Sequence, residues 1–315
     1  MSWSTPPGFV LGIDFGGTKI ALATVATDDG RIIDSALLET DAARGAPQAV
    51  ERALAAARRL LDRGAAAVGA ECAAVGAVSP GVVLPDRIVL APNVPGWEQL
   101  ALESLLRDGL GVPRAVVGTD VKAAGLAEAL WGSLRGSDPA LFLNLGTGLA
   151  AAFVADGRVL AGAHGAAGEL GYNARDRAAA GPPTLEEVAG GRSIGERGGA
   201  LAGRPMSAAE AFASELPPVR ALVEETLDEL FTHLANAIVL LDPARVALGG
   251  GLLRSEARIL PPLAARLAEV VPFPPELVRA RFSDDGALLG AVALALGAVG
   301  VELASVPLPA GERAA

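Results

Sequence analysis

The chain has 315 residues, 51% of them hydrophobic and 4% aromatic, and a formal charge of -10. That length supplies one large domain or two of ordinary size, and the acidic balance argues against nucleic acid as a partner, because phosphate backbones need a basic surface. A single cysteine, Cys72, excludes an intramolecular disulfide and a cysteine-rich metal site, and suits a cytoplasmic protein.

The opening "MSWSTPPGFV" has no basic stretch followed by an apolar one, so no signal peptide is expected. Residues 10–33, "VLGIDFGGTKIALATVATDDGRII", read as three short strands joined by a Gly-Gly turn and an Asp-Gly turn. An amphipathic helix over 46–64 follows, then a strand over 72–79 and a loop over 80–97. A helix over about 98–109 leads to a strand over 113–119 and a helix over 120–131. Residues 141–160, "LFLNLGTGLAAAFVADGRVL", repeat the opening meander, down to the shared Asp-Gly-Arg turn. Helices near 184–201, 207–215 and 219–241, a strand over 244–250, and helices near 254–270 and 285–299 complete the chain. The longest apolar run, 286–301, is shorter than the roughly 20 residues a membrane span needs and reads as a buried helix. Strands alternating with helices, opened twice by one meander, predict an α/β protein of two related domains.

Three glycine-rich turns carry the chemistry. "DFGGTK" (14–19) is either an ordinary hairpin turn or a phosphate cradle in which Gly16 and Gly17 let backbone N–H groups approach and Thr18 and Lys19 add donors. Asp14 before it can hold a magnesium ion, directly or through water, since hard cations take oxygen ligands. Gly146, Thr147 and Gly148 offer a second such turn. Gly249, Gly250 and Gly251 form either a flexible loop or a flat pocket for a ring. Asp120 reads as a helix cap or as a general base.

Taken in order, these turns with "GAHGAAGELG" (162–171), "TLEEVAGGRSI" (184–194) and "LDPARVALGGGL" (241–252) make the chain resemble the ROK family of sugar kinases and repressors over nearly its whole length. The resemblance implies two related actin-like/ribonuclease-H-like ATPase domains with a cleft between them. The small one is expected over 1–117 with about 299–315, the large one over 118–298. It implies that Gly16, Gly17, Thr18, Lys19, Gly146, Thr147 and Gly148 hold the phosphates of ATP, with Gly249, Gly250 and Gly251 at the nucleoside. Asp120 takes the place of the catalytic base. Acceptor contacts fall to Gly81, Asn93, Thr119, Glu169, Tyr172 and Glu186 as well as Asp120; a homodimer is also implied. Glu187 instead completes a Thr-Leu-Glu-Glu capping box with Thr184.

Three positions depart from the family pattern. Thr119 stands where an Asn is usual, Tyr172 where a His is usual, and "NARDRAAAGPPTLEE" (173–187) replaces the cysteine-rich zinc motif, so no zinc is expected. Lys122 replaces a second Asn and is either a solvated side chain or a tether for Asp120 or a phosphate-bearing group. His164 reads as a loop residue and His233 as a packed one. The expected activity is an ATP- and Mg2+-dependent kinase of a sugar or sugar-like polyol, a modified sugar or cyclitol rather than plain glucose. An ordinary hexose kinase and a non-catalytic sugar sensor remain as alternatives. A repressor is not expected, because the first meander begins near residue 10 and leaves no room for a helix-turn-helix.

Overall fold

The computed structural model describes residues 8–91, 94–175 and 183–309. Strand β1 (Phe9–Phe15) sends Phe9, Leu11, Ile13 and Phe15 into one core and Val10, Gly12 and Asp14 to the opposite face, the period-2 alternation of a pleated strand. It pairs antiparallel with β2 (Lys19–Ala26), which pairs antiparallel with β3 (Ile32–Glu39). Helix α1 (Ala46–Val68) buries Ala49, Val50, Ala53, Ala56, Ala57 and Leu60 against that core, a stripe at helical spacing. It opens with Pro47 in its first turn and stops at Gly69, whose φ of 73° only glycine takes without strain. Then come β4 (Cys72–Ser79), the small hairpin β5 (Val82–Val83) and β6 (Ile88–Val89), α2 (Leu102–Leu110), β7 (Ala115–Thr119) and α3 (Asp120–Trp131). The first sheet has the order β3-β2-β1-β4-β7, with β1, β4 and β7 parallel.

The second half repeats this plan. Strands β8 (Ala140–Leu145), β9 (Leu149–Ala155) and β10 (Arg158–Val159) form an antiparallel meander. Helices α4 (Leu185–Ala189), α5 (Gly191–Ala202), α6 (Ala208–Phe212) and α7 (Pro217–Leu241) follow. Next come β11 (Arg245–Gly249), α8 (Glu256–Val270), β12 (Glu276–Arg279) and α9 (Gly286–Ala298). The order β10-β9-β8-β11-β12, with β8, β11 and β12 parallel, copies the first sheet strand for strand. The near-repeat in the sequence therefore extends from the meanders to two complete sheets. Around the second, α7 buries Val219, Val223, Leu230, Leu234 and Ile238 at helical spacing.

The described residues fall into two compact units, one drawn from Met1–Trp131, Ala161–Ala166 and Asp285–Ala315, the other from Gly132–Leu160 and Ala167–Asp284. This departs from the boundaries expected at 117/118 and near 299, because α3 and α9 both belong to the first unit. The reason lies in the sheet face opposite α1. Gly12 and Gly76 are register partners on β1 and β4, and together they leave a flat patch of bare backbone. On it lies α9, so close that a Cβ on Gly76 would sit 2.0 Å from the Ala291 carbonyl oxygen, and one on Gly12 would sit 2.6 Å from Val292. Against α9 packs α3, where a Cβ on Gly290 would meet the Ala123 carbonyl at 2.1 Å. Leu288, Leu289, Val292 and Leu296 of α9 are buried, each worth roughly 1.5–3 kcal/mol against exposure.

Other differences are local. The expected helix over 184–201 breaks at Gly190, whose ψ of 148° is extended, because the chain there runs against the backbone of Thr147. The helix over 98–109 opens as a single tight turn at Trp97–Gln99 before α2 begins. The β5–β6 hairpin inside the 80–97 loop and the half-exposed β12 carry no alternation that sequence could reveal. Among the described residues, no helix is long and apolar enough to cross a membrane.

Candidate active site

The carboxyl ends of parallel strands are where open α/β sheets collect ligands, and in the first unit they collect Asp14, Ser79, Thr119 and Asp120. Asp14 pairs in register with Val78, Val78 with Gly118, and Ser79 with Thr119. Asp120 is the first residue of α3, and its Oδ1 accepts a hydrogen bond from the Val121 N–H at 2.7 Å. That bond holds one carboxylate oxygen in place at the helix start.

Asp14 and Asp120 feel one another. Asp14 is half-buried, and its carboxyl is pushed up from 3.8 to about 7, first by loss of water and second by the negative charge of Asp120. An acid whose folded pKa is raised holds its proton more tightly folded than unfolded. Folding is thus favoured below the ordinary carboxylate range, and that advantage is lost as pH climbs through about 7. Asp14→Asn, which keeps the shape without the charge, should therefore stabilise the metal-free protein at pH 8 by on the order of a few kcal/mol. Thermal melts of both proteins from pH 8 downward should show the gain shrinking and vanishing near about pH 4; a gain independent of pH would contradict the assignment.

The turn from Gly16 to Lys19 joins β1 to β2 with Gly17, Thr18 and Lys19 exposed. Two of its carbonyls are turned inward: the Gly16 oxygen accepts from Thr40 Oγ1 at 2.6 Å, and the Thr18 oxygen from the Thr40 N–H at 2.8 Å. Among the described residues, no hydrogen bond within the protein engages the N–H groups of Gly17 and Thr18. A Cβ on Gly17 would meet nothing within 4 Å, so an incoming group reaches this backbone directly.

The second unit builds its turn the same way by other means. The Gly146 oxygen accepts from Gly191 N–H at 2.9 Å and the Thr147 oxygen from Arg192 N–H at 3.3 Å, both at the start of α5. These bonds satisfy helix donors that would otherwise lack partners. Among the described residues, the N–H groups of Thr147 and Gly148 are left without an internal acceptor. Glu186, one of the expected acceptor contacts, also reaches this turn: its Oε2 accepts from the Leu149 N–H at 2.7 Å and lies against Gly148 and Gly171. Of the three later glycines, Gly249 is buried against Phe142 and Gly250 runs at φ 91° against the Leu145 backbone, while Gly251 is exposed.

The remaining acceptor candidates divide between the units. Glu169 is half-buried at the start of a tight turn that leaves Tyr172 exposed. Thr119 is buried. Gly81 has φ 81°, and a Cβ there would strike the Val89 carbonyl at 2.4 Å, so the β5–β6 hairpin itself demands glycine. Asn93 lies outside the described residues.

Sequence reasoning missed two features. Trp97 donates its Nε1–H to Ser79 Oγ at 2.7 Å and packs on Phe15 with ring centroids 5.4 Å apart, fastening the 80–97 loop to the end of β4. The two rings, with Pro80, Ala91 and Val94, line a small apolar niche beside the first glycine turn. His233 does more than pack: its Nδ1 lies 3.3 Å from Asn173 Nδ2, and burial pushes its pKa down, which favours the neutral ring that can accept there. One turn earlier on α7, Glu229 forms a two-pronged ion pair with Arg175, with the second contact at 2.7 Å. The capping box at α4 stands as read, with Thr184 N–H donating to Glu187 Oε2 at 2.7 Å, which holds the Glu187 carboxyl below its usual range.

Comparison with known proteins agrees with this architecture. The N-acetylmannosamine kinase of Citrobacter koseri is 31% identical over 299 residues, spanning 91% of this chain and 98% of that protein. The glucokinase of Aeropyrum pernix is 30% identical over 319 residues, spanning 91% and 96%. Among solved structures, the ROK hexokinase from Thermus thermophilus matches with a TM-score of 0.75 at 28% identity, covering 92% of this chain and 99% of that one. The fold is thus the two-domain, actin-like ATPase fold of those kinases. The ROK family's sequence pattern matches residues 10–298, and the chain belongs to the ROK family.

Proposed function

We propose that this carbohydrate kinase transfers the γ-phosphoryl group of ATP to a hydroxyl of a modified sugar or a cyclitol in preference to plain glucose. The observation that carries the phosphoryl-transfer part is the orientation of the two glycine turns. In each, two carbonyls are tied back and two successive N–H groups are left for anionic oxygens: Gly17 and Thr18 in one, Thr147 and Gly148 in the other. Lys19 adds a charge beside the first, and the exposed Gly251 gives a flat nucleoside an approach to backbone.

Asp120 accepts the proton of the acceptor hydroxyl as that oxygen bonds to the γ-phosphorus and the bond to the ADP oxygen breaks. An ionised carboxylate is a weak base towards a resting alcohol, but phosphoryl transfer passes through a loose transition state in which the proton leaves late. Asp14 suits a divalent cation: a carboxyl kept from water beside a second carboxylate ionises at a cost that a cation relieves. Bound there, Mg2+ would neutralise charge on the phosphates. Glu169, Tyr172 and Glu186 serve as acceptor contacts, and Glu186 also holds the second turn through its Oε2.

The acceptor reading rests on Thr119 and Tyr172. Thr119 is short and buried at the end of β7, so it reaches acceptor hydroxyls less well than an amide, and Tyr172 brings a bulky ring. The match to an N-acetylmannosamine kinase over most of the chain agrees with a modified acceptor; the glucokinase relatives favour the ordinary hexose reading. Turnover of the full chain with ATP and Mg2+ across glucose, fructose, N-acetylmannosamine, N-acetylglucosamine and myo-inositol separates these. A substituted sugar or the cyclitol should lead by at least about tenfold in kcat/KM, the order of discrimination one group's contacts supply. Glucose as clearly the best acceptor sinks the modified-acceptor reading, and ATP binding without turnover of any acceptor points to a sensor.

A further inference from the structure

We propose that Thr40 is the positioning residue of the first phosphate turn, an inference that rests on the reading of Gly16–Lys19 as a phosphate cradle. Thr40 follows the end of β3, 24 residues after Gly16, and is 1% exposed. Its hydroxyl hydrogen goes to the Gly16 oxygen at 2.6 Å, and its own N–H goes to the Thr18 oxygen at 2.8 Å. One residue thus takes two alternate carbonyls of a four-residue turn. Peptide groups are planar and trans, so a carbonyl aimed inward aims the N–H of the same peptide plane outward. Fixing the Gly16 oxygen aims the Gly17 N–H away from Thr40. Fixing the Thr18 oxygen in the same way aims the Lys19 N–H away from Thr40, so the peptide planes on both sides of the Gly17–Thr18 link are held.

Thr40 is itself held. Arg52, one and a half turns into α1, donates from a terminal nitrogen to the Thr40 and Glu39 carbonyl oxygens. Asp41, the next residue, turns the chain sharply at φ 48°, uncommon for a side chain other than glycine. The turn therefore arrives at its ligand pre-formed, its N–H groups set before any phosphate binds. That is the condition under which a flexible glycine backbone binds an anion without an ordering cost. Sequence shows no sign of this, because the threonine lies beyond a different strand and belongs to no motif.

The test is the full-length protein with Thr40→Val, which keeps the shape and removes the hydroxyl donor, beside Thr40→Ser, which keeps the donor. Calorimetry with ATP and Mg2+, and KM values for ATP and for the best acceptor, are the readouts. With Thr40→Val, the Kd and KM for ATP should rise at least about tenfold, with acceptor KM within about twofold of the parent, and Thr40→Ser should recover ATP affinity to within about threefold. An unchanged ATP affinity in a folded Thr40→Val overturns the assignment, as does an equal loss on both substrates. Thr40→Ala, which leaves space against the Gly16 oxygen, carries the same expectations if the valine variant does not fold. Thr18→Val and Lys19→Met test the underlying reading. If they weaken ATP binding while Thr40→Val does not, only the role of Thr40 falls; if neither of them does, the phosphate turn falls with it.

Discussion

Asp120→Asn should lower kcat by about 10²–10⁴-fold, the usual contribution of a positioned general base, while leaving the Kd for ATP within about twofold. The substitution is close to a pure charge deletion. Asparagine keeps an oxygen that can accept from the Val121 N–H, so the start of α3 should survive and the loss should appear in turnover and not in folding. It also has a second, independent readout. Because the Asp120 charge is the smaller of the two causes raising the Asp14 carboxyl to about 7, its removal should bring the Asp14 pKa down, though still above 3.8 because burial remains. Steady-state kinetics with calorimetry measure the first effect, and NMR titration of the Asp14 carboxyl the second. Unchanged turnover would falsify the assignment of the base.

The largest expected loss of stability comes from a residue with no chemistry. Gly76→Val should cost more than about 4 kcal/mol and leave the protein largely insoluble or unfolded. Even the first added carbon would lie 2.0 Å from the Ala291 oxygen and 2.8 Å from the Ala295 nitrogen, both backbone atoms of α9. No rotamer change relieves a clash with backbone. The helix would have to lift from the sheet, exposing Leu288, Leu289 and Val292 along with the glycine patch. Gly17→Ala is the matching control: with nothing near its added carbon, it should melt within about 0.5 kcal/mol of the parent. Denaturant melts of the two variants make the comparison, and a stable Gly76→Val would mean that α9 does not lie where it is described.

These two cases show what the sequence could and could not reveal. The place of Asp120 was legible because its signal is local: a carboxylate between an apolar strand and an alanine-rich helix, which fold as the end of β7 and the start of α3. The meanders were legible for the same reason, since alternation and Asp-Gly turns act over a few residues. Gly76 was invisible, because the partner that makes it necessary lies more than 200 residues away on α9. The same distance hid the unit boundary, for the buried helix at 286–298 was readable but its place against β1 and β4 was not. Glu186 illustrates a third limit. Its position in the motif drew attention, yet its hydrogen bond to the Leu149 N–H ties it to the second glycine turn, a pairing set by how α4 and β9 approach and not by any spacing. Thr40 failed on both counts, neither motif nor neighbour.

The place of α9 has a consequence for the order in which the protein can be made. All five strands of the first sheet have been synthesised by residue 119, but the helix that covers their glycine face begins only at Gly286. Between those moments the second unit, Gly132–Leu160 and Ala167–Asp284, is translated whole. The unit that carries Asp14 and Asp120 is thus started before the second unit and closed after it, and a nascent chain cut short before residue 286 would hold every proposed catalytic side chain on a sheet that lacks its cover.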